Sequence, residues 1–250
     1  MKIVIIGGTG HVGSKLTSKL KALGQDVLPA SRSTGVNTIT GEGLSEALRG
    51  AETVVDVTQA PSFEANAVKE FFQTSGRNLI AAEKAAGVKH HLVLTVVGTE
   101  RKSGISYFNG KAEQEELVRQ SGIPYTILHS TQFFEFVQAV IGSATKGNEA
   151  HVSTHLAQPI ARDEVVAALA ELALGSPKKD IEIAGPEQIR LSEFARYFLS
   201  ETDDPRKLVE DPDALYFGGK IDDHTLMPGK NPLMGKQTLK EWLKMQHVTS

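Results

Sequence analysis

Seven residues near the N-terminus, Gly7-Gly8-Thr9-Gly10-His11-Val12-Gly13, stand between an apolar run and an amphipathic stretch. Ile3–Ile6 reads as a buried strand, and Val12–Leu23 as a helix that Gly24 ends. A glycine pattern alone constrains little, but one placed between a strand and a helix constrains a good deal. Gly7 permits a sharp turn. Gly10 lets another molecule approach the backbone, and Gly13 lets the helix pack on the strand. The N–H groups at the helix start then point outward, where phosphate oxygens bind well. The turn predicts a bound dinucleotide, held by Gly7, Thr9, Gly10, His11, Val12 and Gly13.

Beyond the turn, short β-branched runs alternate with helical patterns. Strands are expected at Asp26–Ala30, weakly at Gly35–Thr40, and at Thr53–Thr58, His91–Val97 and Tyr125–His129. Helices are expected at Leu44–Arg49, Phe63–Ala86 and Lys111–Ser121. Strand and helix in alternation imply βαβ units and a doubly wound parallel sheet of the Rossmann type, an α/β fold. Residues 1–130 form its core. Residues 131–250 contribute late core elements and a small C-terminal α/β lobe that builds the substrate pocket, all within one domain. Asp163–Leu174, Ser192–Leu199 and Leu239–Met245 read as helices, and Ile181–Ala184 as a strand. Residues 201–235, interrupted by Pro205, Pro212, Pro228 and Pro232, read as irregular.

The end of the second strand decides between cofactors. An NAD site usually places Asp or Glu there to hold the ribose 2′-hydroxyl. Here the residues are Pro29-Ala30-Ser31-Arg32-Ser33, with no carboxylate. Arg32 suits a 2′-phosphate, and Ser31 and Ser33 can donate to it. The expected cofactor is therefore NADP(H). Thr58 and Gln59, before Pro61, end the fourth strand, Thr53–Thr58, where they either flank the cofactor or merely close the strand. Asp56, inside that apolar strand, reads as a buried, hydrogen-bonded carboxylate.

Composition excludes several classes. The chain of 250 residues has a formal net charge of −3 and no dense basic stretch, which argues against nucleic-acid binding. It has no cysteine, so thiol chemistry and disulfides are out. The apolar run at the N-terminus stops at Gly7, too soon for a signal peptide, and no run approaches a membrane span of about 20 residues. A cytoplasmic protein with a small-molecule substrate and no membrane partner is expected, with monomer and homodimer both open. His151 and His155 are four apart without a third ligand, so no metal is expected.

Tyr107-Phe108-Asn109-Gly110-Lys111 carries the candidate chemistry. On a helix, residues four apart share a face. A cationic Lys111 there favours tyrosinate, which suits Tyr107 to pass a proton to a carbonyl oxygen. Asn109-Gly110 could instead form a turn that leaves Tyr107 outside the helix.

The stretches GGTGHVG, SRS, AAEKAAGVKHHLVLTVVG, YFNGKAEQEELVRQSGIPYTILHSTQFFEF, QPIARDEVVAALAEL and IEIAGPEQIRLSEF, in that order, resemble an atypical short-chain dehydrogenase/reductase of the NmrA-like kind. The resemblance covers most of residues 1–200. It implies a Rossmann-type core, and it spans reductases, isomerases and redox-sensing regulators. By resemblance, Lys111 also holds the nicotinamide ribose, and Thr95 matches the Ser/Thr that hydrogen-bonds the substrate oxygen. Asn78 stands near the position of the Asn that completes a proton relay. His129 stands where relatives often carry Arg. With Gln132 and Phe133 it is a candidate pocket residue, although the aromatics there serve equally well as core. The resulting expectation is an NADPH-dependent reductase with Tyr107, Lys111 and Thr95 as catalytic residues, acting on a carbonyl, a quinone or a similar acceptor. The alternative is an NADP(H)-sensing regulator that binds a partner protein without turnover.

Overall fold

Ile3, Val4, Ile5 and Ile6 are all buried, on both faces of their strand. A strand that is apolar on every residue needs cover on both sides, which a central strand of a parallel sheet has. The computed structural model describes the backbone of residues 1–101 and 104–248, and side chains through residue 245. The elements begin β1 (Lys2–Ile6), α1 (His11–Ala22), β2 (Asp26–Ala30), α2 (Leu44–Leu48), β3 (Thr53–Asp56), α3 (Ala65–Ala86), β4 (His90–Val96), α4 (Ser106–Gln120) and β5 (Tyr125–Ser130). They continue α5 (Val137–Ala144), β6 (Thr145–Lys146), β7 (Glu149–Val152), β8 (Leu156–Ala157), α6 (Arg162–Leu174), β9 (Lys179–Ala184) and β10 (Ile189–Arg190). The last are α7 (Leu191–Glu201), β11 (Lys207–Glu210), β12 (Leu233–Met234) and α8 (Leu239–Val248).

Seven strands form the main sheet in the order β12-β9-β5-β4-β3-β1-β2. β4, β3, β1 and β2 run parallel, as do β9 and β12. The fold is the expected Rossmann-type doubly wound parallel sheet flanked by helices. The chain leaves β1 toward β2 and returns on its other side at β3. That reversal puts the turns after β1 and β3 side by side, where such sheets bind ligands.

Two compact units divide the chain. The first holds Met1–Thr95, Asn109–His129 and Val166–Ile181. One of its apolar clusters joins Val4, Ile6 and Val54 to Leu44, Leu48 and Leu79; another joins Val93 and Ile127 to Val118 of α4. The second takes the segments between and after these. Its core gathers around Phe134, which meets Phe194 at 6.1 Å and Trp242 at 5.6 Å between ring centroids.

Three elements depart from the sequence reading. Gly35–Thr40 is not a strand: Gly35 and Gly41 adopt φ of 82° and 80°, and Asn78 of α3 donates to the carbonyls of Thr38 and Ile39. The NH2 of the Asn78 amide thus holds this loop. α4 begins at Ser106, so Asn109-Gly110 lies inside the helix. Gly110 is needed there, because a Cβ would come 2.4 Å from Val68 Cγ1. Residues 201–235 hold two strands: β11 pairs with β7, and β12 with β9.

A buried ion pair sits on β4. Burial opposes a charge on His91, but the Glu83 carboxylate, 2.8 and 2.9 Å from Nδ1, raises its pKa above the ordinary value. His90 goes down to about 4, because burial and His91 both disfavour its proton. The His91 contribution to stability is complete below the unfolded histidine value of about 6.5 and is lost as pH rises through the raised folded value. The His90 contribution falls as pH drops from about 6.5 toward its folded value. Urea unfolding across pH 5 to 9 is expected to show stability declining on the alkaline side, and Glu83→Gln is expected to abolish that decline.

Candidate functional site

The turn after β1 is built from backbone contacts that exclude side chains. Gly7 has φ of 80°, and its N–H donates to Ala30 O at 2.9 Å, as that of Gly8 does at 3.2 Å. A Cβ on Gly13 would lie 2.2 Å from Gly7 O, and one on Gly8 2.6 Å from Pro29 Cα. The sequence reading passed over Gly8, which is as confined as Gly13. A Cβ on Gly10 would meet only Gly7 O, at 3.3 Å. Gly13→Ala is therefore expected to cost about 1–3 kcal/mol of stability and Gly10→Ala clearly less, a ranking that urea unfolding measures.

α1 starts at His11, after Gly10, with no side-chain cap and no acidic residue in its first turn. Thr9, Gly10 and His11 are exposed, and Val12 is half-buried. Uncapped N–H groups and an unopposed helix dipole favour an anion at this point.

Beside it, the chain leaving β2 forms a small hydroxyl cluster. Thr9 Oγ1 donates to Ser31 Oγ at 3.0 Å, and Ser31 Oγ and Ser33 Oγ lie 2.8 Å apart. A one-turn helix at Arg32–Thr34 displays Arg32 to solvent. Its guanidinium has no protein partner among the described residues.

The turn after β3 completes this part of the site. Gly7 lies against it, since a Cβ on Gly7 would be 3.1 Å from Val57 O and 3.3 Å from Thr58 N. Thr58 Oγ1 is buried without a hydrogen-bond partner among the described residues, and Gln59 is exposed. Thr58 N donates to Asp56 Oδ1 at 2.9 Å. Asp56 Oδ2 accepts from Gln114 Nε2 at 2.7 Å. Asp56 is thus the buried, bonded carboxylate that its apolar strand suggested.

Lys111 is buried on α4. Its Nζ donates to Gln114 Oε1 at 2.9 Å, Leu94 O at 3.0 Å and Thr58 O at 3.2 Å, and lies 4.6 Å from the Phe72 ring centroid. Burial pushes the ammonium down to about 8, against the pull of Asp56 and Glu115. To bond a ribose hydroxyl, Lys111 would have to release one of these acceptors. Tyr107 is the second residue of α4, one turn before Lys111; it is half-buried and packs on the apolar cluster of the second unit.

Thr95 and His129 come together, but with each other. Thr95 Oγ1 and His129 Nδ1 are 3.1 Å apart, and His129 also faces Glu115 at 3.4 Å and Asp180 at 3.3 Å. Arg119 bridges those two carboxylates at 3.2 and 2.6 Å. Burial works against the Asp180 charge, yet hydrogen bonds from Arg119 and His129 hold its carboxyl below the usual range. In the second unit, Gln132 is buried with neither amide atom bonded to a described residue. Phe133 is half-buried, whereas Phe134 is core and Phe136 stacks on Phe217 at 5.3 Å. Gln114 was missed from the sequence; its only signal was a polar residue one turn beyond Lys111. Among the described residues no group of three metal-ligating side chains occurs, and no helix is long and apolar enough to cross a membrane.

The chain is similar to several known proteins. A (4-alkanoyl-5-oxo-2,5-dihydrofuran-3-yl)methyl phosphate reductase of Streptomyces griseus is 27% identical over 208 residues, 76% of this chain and 70% of the relative. The photosystem II assembly factor Ycf39 of Synechocystis is 25% identical over 57% of this chain, which matches 47% of that protein's length. In fold, the chain is similar to an NADPH-dependent quinone oxidoreductase of Escherichia coli, with a TM-score of 0.66, 20% identity, and 99% of this chain and 100% of that one covered. A profile of the NmrA-like family matches residues 1–181, and the chain belongs to that family.

Proposed function

We propose that this protein is an NADP(H)-dependent reductase that delivers hydride to a small carbonyl, quinone or similar acceptor. The observation that carries the reading is Arg32. Its guanidinium is exposed and has no partner among the described residues; it stands beside the Ser31–Ser33 hydroxyls, just past the end of β2, where Pro29 and Ala30 offer no carboxylate. A 2′-phosphate is the group that this arrangement suits. The uncapped start of α1 and the buried hydroxyl of Thr58 suit the rest of a dinucleotide. Gln59 borders the same turn.

Relatives that act as reductases support the reaction class, and the bound cofactor would supply the hydride. Tyr107 would hold the proton that the acceptor oxygen takes up, with Lys111 as the fixed cation one helical turn away. Gln132 and Phe133 would face the acceptor. Thr95 could serve the acceptor only by leaving His129. Titration with NADPH and NADH, followed by NADPH oxidation against a panel of quinones, azo dyes and carbonyls, tests the reading. Tighter NADH binding removes the NADP assignment, and tight NADPH binding with no oxidation by any acceptor removes the reductase.

One observation favours the regulator. Lys111 faces three protein acceptors instead of open space, as a residue with only a structural task would. The resemblance to an assembly factor points the same way. The acceptor panel separates these readings too.

A further inference from the structure

Four hydrogen bonds in the first unit close a ring. Thr58 N donates to Asp56 Oδ1, Gln114 Nε2 donates to Asp56 Oδ2, and Lys111 Nζ donates both to Gln114 Oε1 and to Thr58 O. The ring joins two distant stretches of chain: the end of β3 with the turn after it, and α4. The bond lengths are 2.9, 2.7, 2.9 and 3.2 Å in that order. We propose that Asp56 and Gln114 are positioning residues, which pin Lys111 to the turn at Thr58 and so set that turn against Gly7.

The atoms argue for a specific protonation state. Asp56 presents two acceptors and has both filled. The Gln114 amide presents one donor and one acceptor to the ring, oriented so that the carbonyl meets the cation and the NH2 meets the carboxylate. Lys111 donates to three acceptors among the described residues, the third being Leu94 O, and only the protonated amine has three N–H donors. A neutral Lys111 has two, so one acceptor loses its partner. The bond to Thr58 O is the longest of the three and the natural one to open.

The groups around Lys111 set when this happens. Asp56 on β3 and Glu115 on α4 favour the charge, and burial opposes it, which leaves Lys111 at about 8. His91 on β4 bears on the same Asp56. α3 offers the Phe72 ring, while its Lys69 is exposed and turned toward Glu113. The ring is therefore closed at neutral pH and opens in the range just above. The Thr58 turn, against which Gly7 rests, is then less firmly held.

The consequence for ligand affinity rests on the NADP(H) reading, whereas the ring itself does not. Lysine side-chain NMR on the full protein, with Lys111→Met to identify the signal, should find Lys111 titrating near pH 8. Asp56→Asn keeps one of the two acceptors, turns the other into a donor and removes the charge, and should lower that midpoint by about one pH unit. Gln114→Met removes the link and should lower it as well. In the unmodified protein, the Thr58 amide signal should move with the same midpoint, which needs no variant to fold. NADPH affinity, measured by fluorescence, should fall several-fold between pH 7 and 9, and both variants should show the weaker value already at pH 7. An unchanged Lys111 midpoint in a folded variant, or a Thr58 amide that ignores the titration, overturns the ring. A confirmed ring in a protein that binds no NADPH overturns the cofactor reading alone.

Discussion

Tyr107→Phe is expected to lower the turnover of NADPH with any acceptor by about 10²–10⁴-fold, the range for losing a positioned proton donor. The dissociation constant for NADPH should stay within about two-fold, because the phenol oxygen has no part in the proposed cofactor contacts. The substitution deletes one oxygen and keeps the ring that packs on the apolar cluster, and urea unfolding of the variant checks that the fold holds. Single-turnover kinetics with a quinone acceptor, paired with a fluorescence titration of NADPH, makes the measurement. Full turnover in the phenylalanine variant would take Tyr107 out of the chemistry and pass the proton to water or to another group. A fall in both turnover and affinity would mean that Tyr107 helps to hold the cofactor.

Arg32→Asp is expected to reverse cofactor preference. Removing a charge-assisted, two-point contact to a phosphate costs about 1.5–3 kcal/mol, and the new carboxylate repels what remains. NADPH should bind about 10²–10³-fold more weakly, while NADH, whose ribose offers a 2′-hydroxyl that a carboxylate can accept from, should bind as well or better. Arg32→Ala should show the first loss in smaller measure and no gain for NADH. Arg32 is exposed and has no partner among the described residues, so neither change should disturb folding. Calorimetric titration of both cofactors at two salt concentrations checks the assignment, since a charge contact weakens as salt is added.

Local pattern carried much of the sheet and little of the second unit. β1, β3 and β4 announce themselves as apolar runs because both faces are covered, and the glycine turn does so because its close contacts lie within a few residues of one another. α5, β6 and β7 escaped notice. They are short, and β7 finds its parallel partner β11 more than 50 residues later, a pairing no local window contains. Gly35–Thr40 looked like a weak strand because its residue types suit one. The two left-handed glycines and the reach of Asn78 decided otherwise. Within the site, Lys111 and Tyr107 could be named from their spacing. The task Lys111 performs in the fold could not, because Gln114 and Asp56 lie 58 positions apart and meet only after α4 has packed. Thr95 and His129 stand on different strands 34 positions apart, so no local window in the sequence contains the bond between them.

The way the chain alternates between its two units bears on how it is made. Val166–Ile181, the last piece of the first unit, leaves the ribosome only after two excursions into the second. Until then Arg119 and His129 lack the Asp180 carboxylate that joins them. The first unit is therefore unfinished for some two-thirds of the chain's synthesis, and no early nascent fragment has β9 to cover β5. Ribosome release of a chain cut before residue 166 would yield a species with an open strand edge, prone to pairing with its neighbours.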